Sequence, residues 1–371
     1  MKGILSKFST RSFDWVLMSA VLLMLAIGLT AIYSVDLSTG STLNFFTKQL
    51  IAAGIGIMMI IVFSLTQYTF FRNYAKLIYL LALGLLLLTT ILGIIGVRGV
   101  CVRFTCGWLP MPGNFSFQPV EFAKVALVIM LAYITAHFGR RFERPLFFIG
   151  TGIVTLIPMA LVMKQPDLGS AIVLGMIWFG IMCLVGIRKL YLALLVGAVV
   201  VFGVLGWSFF LKDYQKNRLT SFLHQDQINE NTYNVRQAII AVGAGQFWGK
   251  GIGQGTQSQL RFLPEAQTDF IFSVIAEELG FVGASALIIL FGVVEWRLIR
   301  IMREASDDFI AVTVGGIAIT FFIQFFVNVG AEIGLMPLTG ITVPFVSYGG
   351  SSLIINLMMI GVAESMIVKK Y

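Results

Sequence analysis

One carboxylate stands apart in this sequence. Asp269 closes a polar stretch, Lys212 to Asp269, that is far longer than a simple connection between membrane spans needs, and it sits at the mouth of a new apolar helix. An aspartate at a helix N-terminus is stabilised as an anion by the helix dipole, so an ordinary N-cap accounts for it. The competing account is chemistry: a carboxylate at the edge of the apolar phase is placed to take a proton. The length of the loop supports this second account, with Asp269 at its centre.

Other charges lie in or beside apolar runs, where they are costly unless paired or functional. In Phe117-Gln-Pro-Val-Glu-Phe-Ala-Lys124 the helix begins at Pro119, and Glu121 and Lys124, three apart, share one face. Spacing alone favours a self-contained ion pair there. In Lys164-Gln-Pro-Asp-Leu-Gly-Ser170 a turn plus a helix cap is the favoured account of Asp167. Glu277 and Glu278 follow Asp269, and Glu278 lies about two and a half turns deeper, so it should face a polar interior or a basic partner. The run Gly243-Ala-Gly-Gln-Phe-Trp-Gly-Lys-Gly-Ile-Gly-Gln-Gly255 is no nucleotide loop, because Lys250 is followed by Gly251 and the Walker spacing is missing. Its amides would either line an anion site or belong to a surface loop, and Tyr233 to Val242 has the spacing of a helix along the membrane surface. Pro344-Phe-Val-Ser-Tyr-Gly-Gly-Ser-Ser352 suits close helix packing or a broken helix lining a cavity. Cys101 and Cys106 share a loop and would bridge in an oxidising compartment, whereas Cys183 reads as interior packing. Two histidines and three cysteines leave no HExxH or CxxC metal pattern.

The elements that position these residues are membrane spans. The chain is 58% hydrophobic and 12% charged, with a mean hydropathy of +0.90. A soluble domain is nearer half apolar and a quarter charged. Ten spans are expected, at approximately 14–34, 50–65, 76–96, 121–137, 146–163, 168–187, 190–211, 269–294, 309–329 and 341–368. Lys and Arg cluster at 2–11, 72–76, 140–144, 188–189, 297–303 and 369–370, whereas the alternate short loops hold only Lys48, Arg98, Arg103 and Lys164. This bias puts both termini in the cytoplasm and the 212–268 loop outside. The net charge of +8 therefore reports orientation and not nucleic-acid binding. The first apolar run, Trp15 to Tyr33, is long enough to span and lacks a small-residue cleavage site. The expectation is one all-α polytopic membrane domain over 1–371.

Taken in order, these patterns resemble the SEDS family (shape, elongation, division and sporulation), its elongation branch more than its division branch. The resemblance covers nearly the whole chain. It rests on Phe117-Gln-Pro-Val-Glu121, Gln165-Pro-Asp-Leu-Gly169, Tyr233-Asn234 with Gln237-Ala238, Gly249-Lys-Gly251, Leu263-Pro-Glu265, Thr268-Asp-Phe270, Glu277-Glu278 and Ser347-Tyr-Gly-Gly-Ser-Ser352. Val120 stands where the family usually has Ser, and Cys101-Val-Arg-Phe-Thr-Cys106 departs from its usual Arg-Trp pair.

The resemblance implies a peptidoglycan glycosyltransferase in the bacterial cytoplasmic membrane. It would polymerise lipid II at the outer leaflet beside a class B penicillin-binding protein and other membrane proteins of the elongation complex. On that reading Asp269 is the catalytic base, and Glu121, Lys124, Arg218, Lys250, Glu265, Ser351 and Ser352 bind substrate. Glu278 and Asp167 serve a polar interior. A magnesium or manganese ion is a candidate helper for the leaving pyrophosphate. The competing functions are a flippase for lipid-linked precursors, a non-catalytic scaffold and, more weakly, an oligosaccharide ligase. Carriers bind at the midplane, whereas these polar clusters gather at the outer side.

Overall fold

The computed structural model describes residues 13–38, 44–101, 105–112, 115–139, 142, 144–191 and 230–367, with isolated positions between 193 and 222. In chain order its helices are α1 (Trp15–Ser38), α2 (Asn44–Leu65), the short α3 (Tyr68–Asn73), α4 (Ala75–Ile95), α5 (Pro119–Phe138), α6 (Pro145–Lys164) and α7 (Leu168–Val185). They continue with α8 (Glu230–Ala244), the one-turn α9 (Thr256–Gln259), α10 (Ile271–Arg303), α11 (Asp308–Glu332) and α12 (Gly350–Met366). Eight of them, α1, α2, α4, α5, α6, α7, α10 and α11, are long and apolar enough to cross a membrane. The protein is an all-α multi-pass membrane protein.

Four expectations change. The tenth span, expected over 341–368, is helical only from Gly350, because 341–349 forms an irregular segment at one end of the bundle. The eighth runs on to Arg303. The second is not short, since it begins at Asn44 and covers 22 residues. Cys183 lies on an exposed face of α7 and not in the interior. The expected seventh span, 190–211, falls almost wholly outside the described residues. A small antiparallel hairpin, β1 (Leu109–Met111) and β2 (Phe115–Phe117), pairs Leu109 with Phe117 between α4 and α5. Cys101 and Cys106 are joined by a disulfide at its root, with their Cα atoms 3.9 Å apart.

Local chemistry sets the helix ends. Pro119 and Pro145 open α5 and α6, where a missing N–H costs nothing. Gly96 and Gly186 close α4 and α7 in the left-handed conformation. Packing then sorts the helices by depth. The apolar windows of α5 and α11 are 72% and 78% buried, against 28% for α2, α4 and α6, so the first two form the centre and the others face lipid. Glycine permits the closest approaches: a Cβ on Gly361 of α12 would sit 2.9 Å from Ile60 Cα of α2.

The two ends of the bundle differ. At one end Arg297 Nε donates to Asp14 Oδ2 at 2.6 Å, Asp14 N donates to Glu364 Oε2 at 3.2 Å, and Arg72 pairs with Asp307 at 2.7 Å. The opposite end carries Asp167, Asp269, the hairpin and the glycine-rich loop.

That loop explains the most irregular helix. Gly280 interrupts α10 with φ 67° and ψ −164°, which frees backbone groups on both sides. The loop takes them up. Lys250 N and Gly251 N donate to the carbonyls of Glu277 and Glu278 at 3.0 and 2.9 Å, and Phe281 N and Val282 N donate to Gln246 O and Phe247 O at 2.8 and 3.3 Å. The glycines are needed because a Cβ on Gly245 or Gly249 would overlap the carbonyls of Ala276 or Glu278. Gly280→Ala would strain a left-handed backbone and bring its Cβ 2.6 Å from Phe247 O. We expect a loss of about 2–4 kcal/mol, read as a lower melting temperature in detergent. Gly292→Ala in the same helix, where a Cβ meets nothing within 4 Å, should leave the melting temperature unchanged.

Candidate active site

Asp269 lies in a tight turn just before α10. Asp269 N and Thr268 N donate to Glu265 O at 3.2 and 3.0 Å, and Glu265 takes a positive φ of 55° to accommodate them. The N-cap position of α10 belongs to Phe270, which makes no side-chain cap, so Asp269 lies one residue ahead of the cap position that its sequence allowed. Its main-chain carbonyl accepts from Asn328 Nδ2 at 3.2 Å. The same amide donates to Ile341 O at 2.7 Å and so ties the turn to the irregular segment after α11. The carboxylate, half-buried, lies against Gly340, whose Cβ would stand 3.8 Å from Asp269 Oδ2. Gln267 Nε2 donates to Glu265 Oε2 at 3.4 Å.

The irregular segment is pinned on several sides. Gln49 of α2 donates to Ser347 O at 3.0 Å and accepts from Gly349 N at 3.1 Å, and Tyr348 N donates to Gln267 O at 2.8 Å. Burial, together with the negative charge of Asp36, pushes the Tyr348 hydroxyl above its ordinary pKa. Ser352 shares a 2.9 Å hydrogen bond with Thr342 and accepts from Asn356 Nδ2 at 3.4 Å, while its neighbour Ser351 is buried. Gly169, at the start of α7, packs so tightly on this segment that a Cβ there would lie 2.6 Å from Thr339 O.

Asp167 caps α7, accepting from Ser170 N at 3.0 Å and from Ser170 Oγ at 2.7 Å, with Gln118 Nε2 at 3.5 Å. Gln118 immediately precedes α5, which carries Glu121 and Lys124. These two are buried and joined at 2.8 Å, and the second carboxylate oxygen of Glu121, also buried, has no hydrogen-bond partner among the described residues. Glu121, Lys124, Asp167, Asp269, Ser351 and Ser352 thus gather at one end of the bundle, around or beneath the irregular segment.

Lys250 and Glu278 belong to a second cluster, at the break in α10. Lys250 Nζ donates to Glu277 Oε1 at 2.9 Å and to Thr256 Oγ1 at 2.7 Å. Glu277, fully buried, also accepts from Gln257 N at 3.0 Å. Glu278 accepts from Ser34 Oγ of α1 and, at 3.5 Å, from Ser258 Oγ, so it faces a polar interior while the basic partner serves its neighbour. Two amides of the glycine loop are occupied by the broken helix, and the loop is a clamp on it. Arg218 lies outside the described residues. Among the described residues no group of three His, Cys, Asp or Glu side chains could hold a metal ion, so no step below is routed through one.

Sequence reasoning passed over Asn328, Gln49 and Glu332. Glu332 is fully buried at the end of α11 and accepts from Ser273 N and Oγ at 2.6 and 2.7 Å, which fixes the first turn of α10 behind Asp269. A carboxylate at the end of an otherwise apolar span was the available signal for it.

An α-helical bundle with a half-buried carboxylate beside an irregular segment at one end defines a class of polytopic membrane protein. Residues 14–371 match the cell cycle protein family of FtsW, RodA and SpoVE. The chain belongs to that family, the SEDS proteins. It is similar to stage V sporulation protein E of Bacillus subtilis, with 35% identity over 94% of this chain and 95% of the relative. It is also similar to a probable peptidoglycan glycosyltransferase FtsW of Trichlorobacter lovleyi (34%, covering 98% and 95%) and to peptidoglycan glycosyltransferase MrdB of Escherichia coli K12 (32%, covering 93% and 91%). Among solved structures, one described as structural coordination of polymerization and crosslinking by a peptidoglycan synthase complex superposes with TM-score 0.77 at 28% identity, over 96% of this chain and 97% of that one. The crystal structure of Thermus thermophilus rod shape determining protein RodA gives 0.70 at 26% identity, over 96% of each chain. Sporulation, division and rod-shape proteins thus stand at similar distances.

The buried pair gives a stability test. Glu121→Gln leaves Lys124 charged, buried and unpaired, and should cost about 3–5 kcal/mol. The double change Glu121→Gln with Lys124→Met should recover most of that loss, read by thermal unfolding in detergent.

Proposed function

We propose that this chain is a peptidoglycan glycosyltransferase that polymerises lipid II into β-1,4-linked strands at the outer leaflet of the bacterial cytoplasmic membrane, during cell elongation. The observation that carries the reading is Asp269. In a member of this family, it is a half-buried carboxylate on an anchored turn at the end of the bundle that the charge pattern assigns to the outside.

The reaction needs one carboxylate. The acceptor's GlcNAc 4-hydroxyl attacks the donor's MurNAc anomeric carbon, and undecaprenyl pyrophosphate departs with the bonding electrons. Asp269 accepts the hydroxyl proton as the new C–O bond forms. No acid is required opposite it, because pyrophosphate leaves as a stable anion; a glycosidase, by contrast, needs two flanking carboxylates. Direct displacement inverts the anomeric centre and gives a β link from an α-linked donor. Lys124, buried against Glu121 at 2.8 Å, is one cation assigned to the leaving pyrophosphate. Lys250 has one donor left beside Glu277 and Thr256. Arg218 is the third cation assigned to the leaving group. A class B penicillin-binding protein that crosslinks the new strand is the expected partner, in keeping with the synthase complex that the fold matches.

Purified chain in proteoliposomes, with and without a cognate class B penicillin-binding protein, should convert lipid II into glycan chains. Asp269→Asn should reduce the rate by about 10²–10⁴-fold without changing the melting temperature. Polymerisation by Asp269→Asn at the wild-type rate would remove Asp269 as the base. A folded, partner-bound wild type that forms no polymer would move the function to lipid flipping or scaffolding.

A further inference from the structure

The bundle has a second recess, at the end remote from Asp269. It is a half-open cavity of about 290 Å³ where α5 and α7 end, α10 ends and α11 begins. That is close to the lower bound of roughly 300 Å³ for small-molecule sites. Its wall is apolar, with Phe142, Val185, Met302 and Ala311, and the two polar residues in it are Thr135 and Asp308. The Thr135 hydroxyl is already committed to Leu131 O at 2.8 Å. Phe148 stacks on Tyr191 at 5.2 Å and so draws the segment after α7 onto the first turn of α6.

Several cations at this end, Arg188 among them, have partners. Arg72, Arg297 and Arg300 are paired with Asp307, Asp14 and Glu304, and Lys76 lies 5.4 Å over the ring of Tyr133. Arg144, Lys189 and Arg303 are exposed and have no ion-pair partner among the described residues. All three have chain neighbours that line the recess: Arg144 follows Phe142 by two residues, Lys189 follows Val185 by four, and Arg303 adjoins Met302. The one acid, Asp308, sits in the first turn of α11, where the helix dipole offsets part of its charge. A largely apolar, half-open slot with exposed cations close by in the chain suits a ligand with a hydrocarbon tail and a phosphate head. At the cytoplasmic face the membrane itself supplies such molecules.

We propose that this recess binds an anionic glycerophospholipid of the cytoplasmic leaflet, with an acyl chain between Phe142, Val185, Met302 and Ala311 and its phosphate against Arg144, Lys189 and Arg303. The site rests on the membrane orientation and is independent of glycosyl transfer, so its test uses no activity.

Delipidated full-length protein in a nonionic detergent is titrated with dioleoylphosphatidylglycerol, dioleoylphosphatidylcholine or dioleoylphosphatidylethanolamine. Native mass spectrometry counts retained lipid, and the melting temperature is read in parallel. Phosphatidylglycerol should be retained preferentially and should raise the melting temperature. Neutralising the rim with Arg144→Gln, Lys189→Gln and Arg303→Gln together should weaken its retention by about tenfold. Ala311→Trp fills the recess from within and should abolish the effect. Arg300→Gln alters a cation already paired with Glu304 and should change nothing. Equal retention of the glycerol and choline lipids, or an equal loss in Arg300→Gln, would reduce the effect to diffuse attraction and overturn the site. Preference for the ethanolamine lipid would overturn the anionic assignment.

Discussion

The structure depends on a break in one helix and the loop that fills it. α10 cannot be continuous at Gly280, and a membrane helix with open carbonyls and amides has no water to satisfy them. The 246–251 segment supplies four main-chain hydrogen bonds to the break, each worth roughly 0.5–1.5 kcal/mol net and far more to leave unmade. Because those bonds fix the first half of α10, they also fix what is attached to it: Glu277 and Glu278 on one side, and the Asp269 turn immediately before Ile271. The long polar loop therefore serves as scaffold. The first half of α10 is also held directly, to α1 by the Ser34–Glu278 bond and to α11 by the buried Glu332–Ser273 bonds.

The irregular segment between α11 and α12 is the second half of the arrangement. It meets Asp269 at Gly340, α7 at Thr339, α2 through Gln49 and the hairpin through Gly350, which lies near Phe115. Asp269 is half-exposed whereas Glu277 and Glu332 are fully buried, which is why chemistry is proposed for it and not for them.

Much of this was legible in the sequence, for identifiable reasons. Span positions follow from length and hydropathy, which the bilayer fixes independently of tertiary packing. Asp167 as a cap and Glu121 with Lys124 as a pair follow from spacing on a single helix. What stayed hidden depends on contacts between distant segments. The glycine run looked like an anion cradle or a surface loop, because nothing in its own residues announces the break at Gly280 that uses its amides. The expected span over 341–368 failed for a similar reason: Ile341 to Tyr348 is apolar enough to enter a helix, but Asn328, Gln49 and Gln267 offer its backbone other partners. Asn328 itself looks like a stray amide in an apolar span until both carbonyls that it reaches are seen.

That asparagine has a consequence for how the position of Asp269 can vary. Asn328 grips the peptide carbonyl of Asp269, and the turn is closed by main-chain bonds to Glu265. These anchors belong to the backbone, which any L-residue carries. Main-chain bonds of this kind survive a change of side chain, so the path of the turn is not dictated by the carboxylate alone.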